Sequence, residues 1–308
     1  MGSTDTAVAV VGSYNVGLTM RVPTFPDPGE TIVGHEFAEG PGGKGSNQAI
    51  AAARFGAESR FVGRIGEDRY GDDALTLWDR EGVGVDGVTR DPAAHTGVGF
   101  VIVNDDRENE ITVAPGANDC LSAADVRVAD ETIRSAESLL VQLEIGDEAV
   151  AAAVEIADRA GLDVVCNPAP ARELPATILE HVDYITPNEH EARTLVGSEE
   201  ELNDEELAHE LLDLGVETVV LTRGDEGALL VTAEDVEAVA APDVEVVDTT
   251  GAGDAFNGVF AVALAEERSN RKALRTACAA GGIAVTESEV VPGLPERAAV
   301  EELLDTTW

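Results

Sequence analysis

Short apolar runs alternate with amphipathic helical stretches along nearly the whole chain, and no other feature narrows the possible folds as much. The runs are "AVAVVG", "SRFVGRIG", "SLLVQLE", "LDVVCNPAP", "DYITPNEHE", "ETVVLTRG" and "GALLVT". Between several of them lie "SNQAIAAARFGA", "GDDALTLWDREG", "GDEAVAAAVEIADRAG" and "NDEELAHELLDLG". Near-continuous apolar strands separated by helices belong to a mostly parallel sheet covered on both faces. With no linker and no internal repeat, residues 1–308 read as one α/β domain. Two segments break the rhythm. Residues 18–41 carry four prolines and no helical period. "TGVGFVIVNDDRENEITVA", residues 96–114, reads as two strands joined by a polar turn at Asp105 to Asn109. Together they suit a small accessory sheet, either a water-excluding lid or an ordinary edge hairpin.

The chain is long enough for a sizeable core, and 44% of its 308 residues are hydrophobic, so its charge does not imply disorder. That charge is −40, from 60 Asp plus Glu against 20 Lys plus Arg, and the acidic residues are spread along the chain. Such a surface suits a very salty cytoplasm and excludes nucleic acid as a partner, since nothing neutralises a row of phosphates. Only two lysines persist, Lys44 and Lys272; Lys272 reads as a helix-surface residue, whereas Lys44 lies among glycines. Cys120, Cys166 and Cys278 match no metal spacing and suggest reduced thiols in a cytoplasmic protein. "AVAVVGS" reads as a core strand rather than an export segment, and no stretch approaches the length of a membrane span. G-x-x-x-x-G-K-[ST], G-x-G-x-x-G after the first strand and G-x-S-x-G are all missing, which counts against a dinucleotide-dependent oxidoreductase.

Two glycine-rich stretches carry the chemistry. "VDTTGAGDAFNG", residues 247–258, places an expected buried strand, Val244 to Val247, before Gly251, Ala252 and Gly253 and a helix from about Asp254. Free backbone N–H groups and the helix dipole make a positive pocket there without basic side chains. Asp254 is then a helix cap, a catalytic base or both. "GPGGKGSNQA", residues 40–49, is a second helix start, where glycines permit close approach of a small ligand and Lys44 and Asn47 offer directed hydrogen bonds. On its own it also reads as a capped loop.

"PGGKGSNQA" and "DTTGAGDAFNG" resemble the two signatures of the ribokinase (PfkB) family of sugar kinases, in its ribokinase branch. The resemblance continues, in order, through "VVGSYNVG", "FPDPGETIVG", "VQLE", "NPAPARELP", "ITPNEHEA" and "IAVT". It implies a doubly wound α/β body with a small β-sheet lid, here at about 15–41 and 96–114. It also implies transfer of the ATP γ-phosphoryl group to a sugar hydroxyl, expected at O5 of ribose or a ribose derivative. Asp254 would take the hydroxyl proton, and the Gly251, Ala252 and Gly253 amides would form the anion hole.

Further roles follow from the same resemblance. Asn188 and Glu191 would organise Mg²⁺ and phosphates, partly through water. Thr222, Gly224 and Gly227 of "LTRGDEG", with Asn188, Gly253 and Cys278, would hold the nucleotide; a plain hairpin turn and a buried thiol are the structural alternatives. Asn15, Gly43, Lys44, Asn47 and Glu144, with Asp254, would hold the sugar. Asp248 and Thr250 fit a K⁺ site, although the loop from Glu287 to Gly293 departs from the family pattern. The family commonly has Asp where this chain has Gly17, which enlarges the pocket and admits deoxyribose, a nucleoside or ribose 1-phosphate. A phosphorylated acceptor would call on Arg21, His35, His95 or Arg107. A non-catalytic sugar or nucleotide sensor is the remaining alternative. The family also implies a homodimer through the lid.

Overall fold

Ala7–Val11 (β1) is apolar at every position, and each side chain is buried, as befits a strand covered on both faces. The computed structural model describes residues 6–106, 108–197 and 202–307. The other strands are Asn15–Arg21 (β2), Glu36–Gly42 (β3), Glu58–Gly66 (β4), Gly84–Asp91 (β5), Gly97–Val103 (β6) and Asn109–Ala114 (β7). Ser138–Gln142 (β8), Asp163–Asn167 (β9), Tyr184–Ile185 (β10), Thr218–Thr222 (β11), Ala228–Val231 (β12) and Val236–Val239 (β13) follow. Among the described residues, nine of them form one sheet in the order β13-β12-β11-β10-β9-β8-β1-β4-β5. It is parallel from β5 to β11, while β12 and β13 run antiparallel at one edge. Two apolar clusters, one on each face, bury the helices against it.

Chain order reverses beside β1, which is flanked by β4 and β8. Open α/β sheets bind ligands outside the carboxyl ends of strands at such a switch point. The residues there are polar: Ser13 beyond β1, Gln142 and Glu144 around the end of β8, Asn167 at the end of β9, and Thr186 and Asn188 beyond β10.

The two irregular segments pair with each other, not with the edge of the large sheet, in the order β3-β2-β6-β7. Pro41 is tolerated because β3 is an edge strand. Arg107 lies outside the described residues.

One expectation fails. Val244 to Val247 is not a buried strand: the segment is irregular, and Val246 and Val247 are each 59% exposed. Its backbone bonds to the end of the Asn270–Ala284 helix instead, with the Val247 and Asp248 N–H groups both donating to Val285 O. The apolar run was real, but its hydrogen-bond partner is a helix terminus rather than a neighbouring strand.

Candidate functional site

The Lys44–Arg54 and Ala252–Ala265 helices lie side by side with their N-termini together. Gly258 makes this possible, because a Cβ there would stand 2.6 Å from Gln48 O and 2.7 Å from Ala51 Cβ. Asp254 occupies the third position of its helix and is 8% exposed. Its side chain does not cap that helix. It reaches across, with Asn47 Nδ2 donating to Oδ2 at 2.8 Å and Gln48 Nε2 donating to Oδ1 at 3.0 Å. Burial raises the Asp254 pKa, and the Glu144 charge adds to this; Lys44 and the two amide donors oppose it without cancelling it. A carboxylate held deprotonated by directed donors, yet pushed above the usual range, suits a proton acceptor.

The two helix starts differ in what occupies their N–H groups. At Lys44–Arg54 the protein itself fills them: Lys44 N–H donates to Glu144 Oε2 at 2.9 Å and Ser46 N–H to Ser13 O at 2.9 Å. Gly43 (φ 88°) and Gly45 are required by this closure. A Cβ on Gly43 would lie 2.6 Å from Asn15 N, and one on Gly45 would lie 2.5 Å from Ser13 N. These glycines therefore admit neighbouring backbone. At Ala252–Ala265, by contrast, no partner among the described residues takes the N–H groups of Gly251, Gly253 or Asp254, and Ala252 N–H reaches Thr249 O only at 3.3 Å. A Cβ on Gly253 would meet nothing within 4 Å, so space lies open in front of these donors. Free backbone donors at a helix start favour an anion.

Glu144 ties the expected sugar residues together. Its Oε2 accepts from Ser13 Oγ, from Asn15 Nδ2 at 3.3 Å and from Lys44 N. Asn118 steadies Asn15 by donating to its Oδ1 at 2.9 Å. Asn47 Oδ1 is buried without a partner, an acceptor left for a hydroxyl or amine. Among the described residues the Lys44 ammonium forms no ion pair; it lines a cavity of about 410 Å³ with Ala169, Pro170, Ala171, His190, Glu191 and Thr194. Gly17 stands between Gly40 and Gly99 on neighbouring strands, on the face of the small sheet that carries Asn15. A Cβ on Gly17 would meet only Gly40 O, at 3.6 Å, so the face is bare at this one spot, between three glycines.

Asn188 and Glu191 form a reciprocal capping box on the Glu189–Val196 helix: Asn188 N–H donates to Glu191 Oε2 at 2.9 Å, and Glu191 N–H to Asn188 Oδ1 at 2.8 Å. Burial raises the Glu191 pKa, with the Asp254 charge adding to it and Lys44 opposing it. Glu191 Oε1 has no partner among the described residues, which is compatible with one oxygen ligand of a hydrated Mg²⁺. Among the described residues no cluster of three or more His, Cys, Asp or Glu could hold a metal by itself. Asp248 and Thr250 share a local turn just before Gly251. Asp248 Oδ1 accepts from Thr250 N at 2.9 Å and Thr250 Oγ1 at 2.7 Å.

Thr222 N–H donates to Pro187 O at 2.9 Å, which brings the "LTRGDEG" loop beside Asn188. That loop is a hairpin between antiparallel β11 and β12, with Gly224 and Gly227 at positive φ. Burial pushes the Cys278 thiol up to about 12; the residue packs in the core near Arg223. Arg21 pairs with Glu36 and His35 with Asp105, while His95 Nδ1 bonds to Thr96 O. Sequence reasoning did not single out Gln48, Gln142, Asn167, Thr186 or Asn257, all buried beside Asp254. The available signal was a polar residue closing an apolar strand, as in "SLLVQ" and "DVVCN".

Residues 5–297 match the pfkB family carbohydrate kinase description. The chain is 38% identical over 300 residues to the ribokinase of Haemophilus influenzae, covering 97% of this chain and 98% of the relative. Among solved structures, ribokinase from Thermotoga maritima superposes with a TM-score of 0.89 at 36% identity, covering 98% of this chain and all of that one. Arabidopsis thaliana ribokinase, complexed with ribose and ATP, superposes with a TM-score of 0.90 at 32% identity, covering 98% of this chain and 99% of that one.

Proposed function

This chain belongs to the pfkB family of carbohydrate kinases, and we propose that it transfers the γ-phosphoryl group of ATP to O5 of ribose. The observation that carries the reading is the junction of a buried carboxylate, Asp254, with N–H groups on its own helix start that no other group takes. Asp254 accepts the proton of the attacking hydroxyl, and the N–H groups of Gly251, Gly253 and Asp254 meet charge developing on the transferred group. Ala252 contributes less, since its N–H already leans on Thr249 O. Asn15, Lys44, Asn47 and Glu144 hold the sugar, with Gly43 shaping the approach. Asn188, Thr222, Gly224, Gly227 and Cys278 border the nucleotide. When bound, Mg²⁺ at Glu191, through water, supplies positive charge to the phosphates.

Ribose is favoured by the ribokinases that match at 38% identity over nearly their full length, while deoxyribokinases match at 36% over 82% of this chain. Among the described residues, Arg21 and His35 offer little to a phosphorylated acceptor, because both are paired with acidic neighbours. We take the small sheet as a lid over the sugar. Its exposed Ile111 and Val113 (61% and 52%), on one face of that sheet, suit a homodimer contact. We read the −40 charge as adaptation to a salty cytoplasm. Asp248 and Thr250, in the turn just before Gly251, are the candidate K⁺ site. The test is ADP release from ATP and ribose at low and molar KCl. Ribose-dependent release is expected, most strongly at high salt. No turnover with ribose under any salt condition, alongside turnover with another acceptor, overturns the substrate.

A further inference from the structure

A base and an anion hole must keep register to a fraction of an ångström, because small misplacements cost large factors in rate. Neither is held here by its own helix alone. Gln48 Nε2 donates to Asp254 Oδ1 and also to Asn167 Oδ1 at 3.1 Å, while Gln48 Oε1 accepts from Gln142 Nε2 at 2.6 Å. Gln142 and Asn167 are the last residues of β8 and β9, and Gln48 and Gln142 are fully buried. On the other side, Asn257 Nδ2 donates to Gly253 O at 2.8 Å, and Asn257 Oδ1 accepts from Thr186 Oγ1 at 2.5 Å. The Gly253 carbonyl and the Asp254 N–H belong to one planar peptide, so fixing the oxygen fixes the direction of the hydrogen. Asn167 Nδ2 donates to Thr186 O at 3.3 Å and joins the two arms.

We propose that Gln48 and Asn257 are positioning residues for the transfer: Gln48 aims the Asp254 carboxylate, and Asn257 aims the Asp254 amide. Both hang from the ends of β9 and β10 through Asn167 and Thr186. The proposal rests on the reading of Asp254 as base. The two arms carry different consequences. Gln48 donates to the charged carboxylate and so favours it, whereas Asn257 reaches Asp254 only through the Gly253 carbonyl. The charges facing Asp254 are Lys44, Glu144 and, from the neighbouring helix, Glu191; none belongs to the web, so web variants leave them in place.

The test measures kcat, KM and the pH profile with ATP and ribose for Gln48→Leu, Asn257→Leu and the double variant, with Asp254→Asn alongside. Gln48→Leu should lose on the order of tenfold or more in kcat, with a smaller change in KM for ATP and an acid limb moved to higher pH. Asn257→Leu should lose kcat with the acid limb unmoved. The double variant should lose less than the product of the two, as expected for members of one network. Should Gln48→Leu fail to fold, Gln142→Met touches Gln48 but not the base, and should shift the acid limb the same way by less. Parental kcat and pH profiles in these variants, with only thermal midpoints lowered, overturn the proposal. Parental turnover in Asp254→Asn overturns the base assignment instead.

Discussion

Two glycine-rich helix starts meet at this site, and they teach different lessons. In sequence, "GGKGSNQA" and "GAGDAFNG" look like the same device, glycines before a helix with one charged residue among them. In the fold one is closed and the other open. The Lys44 start has its N–H groups taken by Glu144 and Ser13, so its positive end is spent on the protein, while Lys44 lines the cavity it shares with Glu191. The Gly251 start keeps its N–H groups and turns its carboxylate sideways onto Asn47 and Gln48. The macrodipole favours anions at both, but only the second leaves donors to give.

The largest break in that comparison comes from the open side. Asp254→Asn should lower kcat by on the order of 10² or more while ATP still binds, measured by ADP release and by titration of the nucleotide. Stability should respond in the opposite sense. Burial raises the Asp254 pKa, so the folded chain holds a proton that the unfolded chain would release. The buried charge therefore lowers stability above the folded pKa, and that cost lifts as pH falls toward the ordinary carboxylate range. The variant should unfold at neutral pH no more easily than the parent in thermal melts. For the same reason the acid limb of kcat/KM should lie above the ordinary carboxylate value of about 4.

Matched glycine variants sharpen the contrast. Gly251 has φ 85°, and a Cβ there would stand 2.6 Å from Val290 Cγ1, so Gly251→Ala should tilt the open donors and cost on the order of 10- to 100-fold in kcat. Gly43→Ala forces an equally strained φ against the Asn15 backbone. It should cost about 1–3 kcal/mol of stability in denaturant melts and raise the sugar KM, with a smaller loss of kcat.

A subtler break uses Glu144→Gln. Removing that charge should weaken the closed start and raise the sugar KM. It should also move the acid limb downward, because the Glu144 charge raises the Asp254 pKa.

The smallest effect separates two capping boxes written alike. Asn188 with Glu191 and Asn203 with Glu206 make the same reciprocal bonds, but Glu191 is half-buried near Lys44 whereas Glu206 is exposed. Glu→Gln at either should cost only a few tenths of a kcal/mol in thermal melts, since Gln also serves in the box. Only the change at Glu191 should raise the Mg²⁺ needed for half-maximal rate.

These pairs also mark how far the sequence can be read. The fold was legible because buried parallel strands and amphipathic helices each impose their own period, and both helix starts announced themselves through glycine. Asn15, Lys44, Asn47, Glu144 and Asp254 do converge. Whether a helix start is open or closed was not legible, because Glu144 and Ser13 reach it from distant parts of the chain. Gln48 looked like one more helix polar residue, since its partners at 142, 167 and 254 lie far away in sequence. Val244 to Val247 misled because an apolar run signals burial or a strand equally, and here the neighbouring helix end took its hydrogen bonds.

Which of the two helix starts holds the transferring phosphate decides how the site works. A crystal structure with ADP, Mg²⁺, ribose and aluminium fluoride as a mimic of that group answers it. Fluorine atoms should stand about 2.7–3.1 Å from the Gly253 and Asp254 nitrogens, with the ribose 5-hydroxyl against the Asp254 carboxylate. Fluoride seated at the Lys44 start, with the Gly251 to Asp254 amides facing only solvent, would contradict the account.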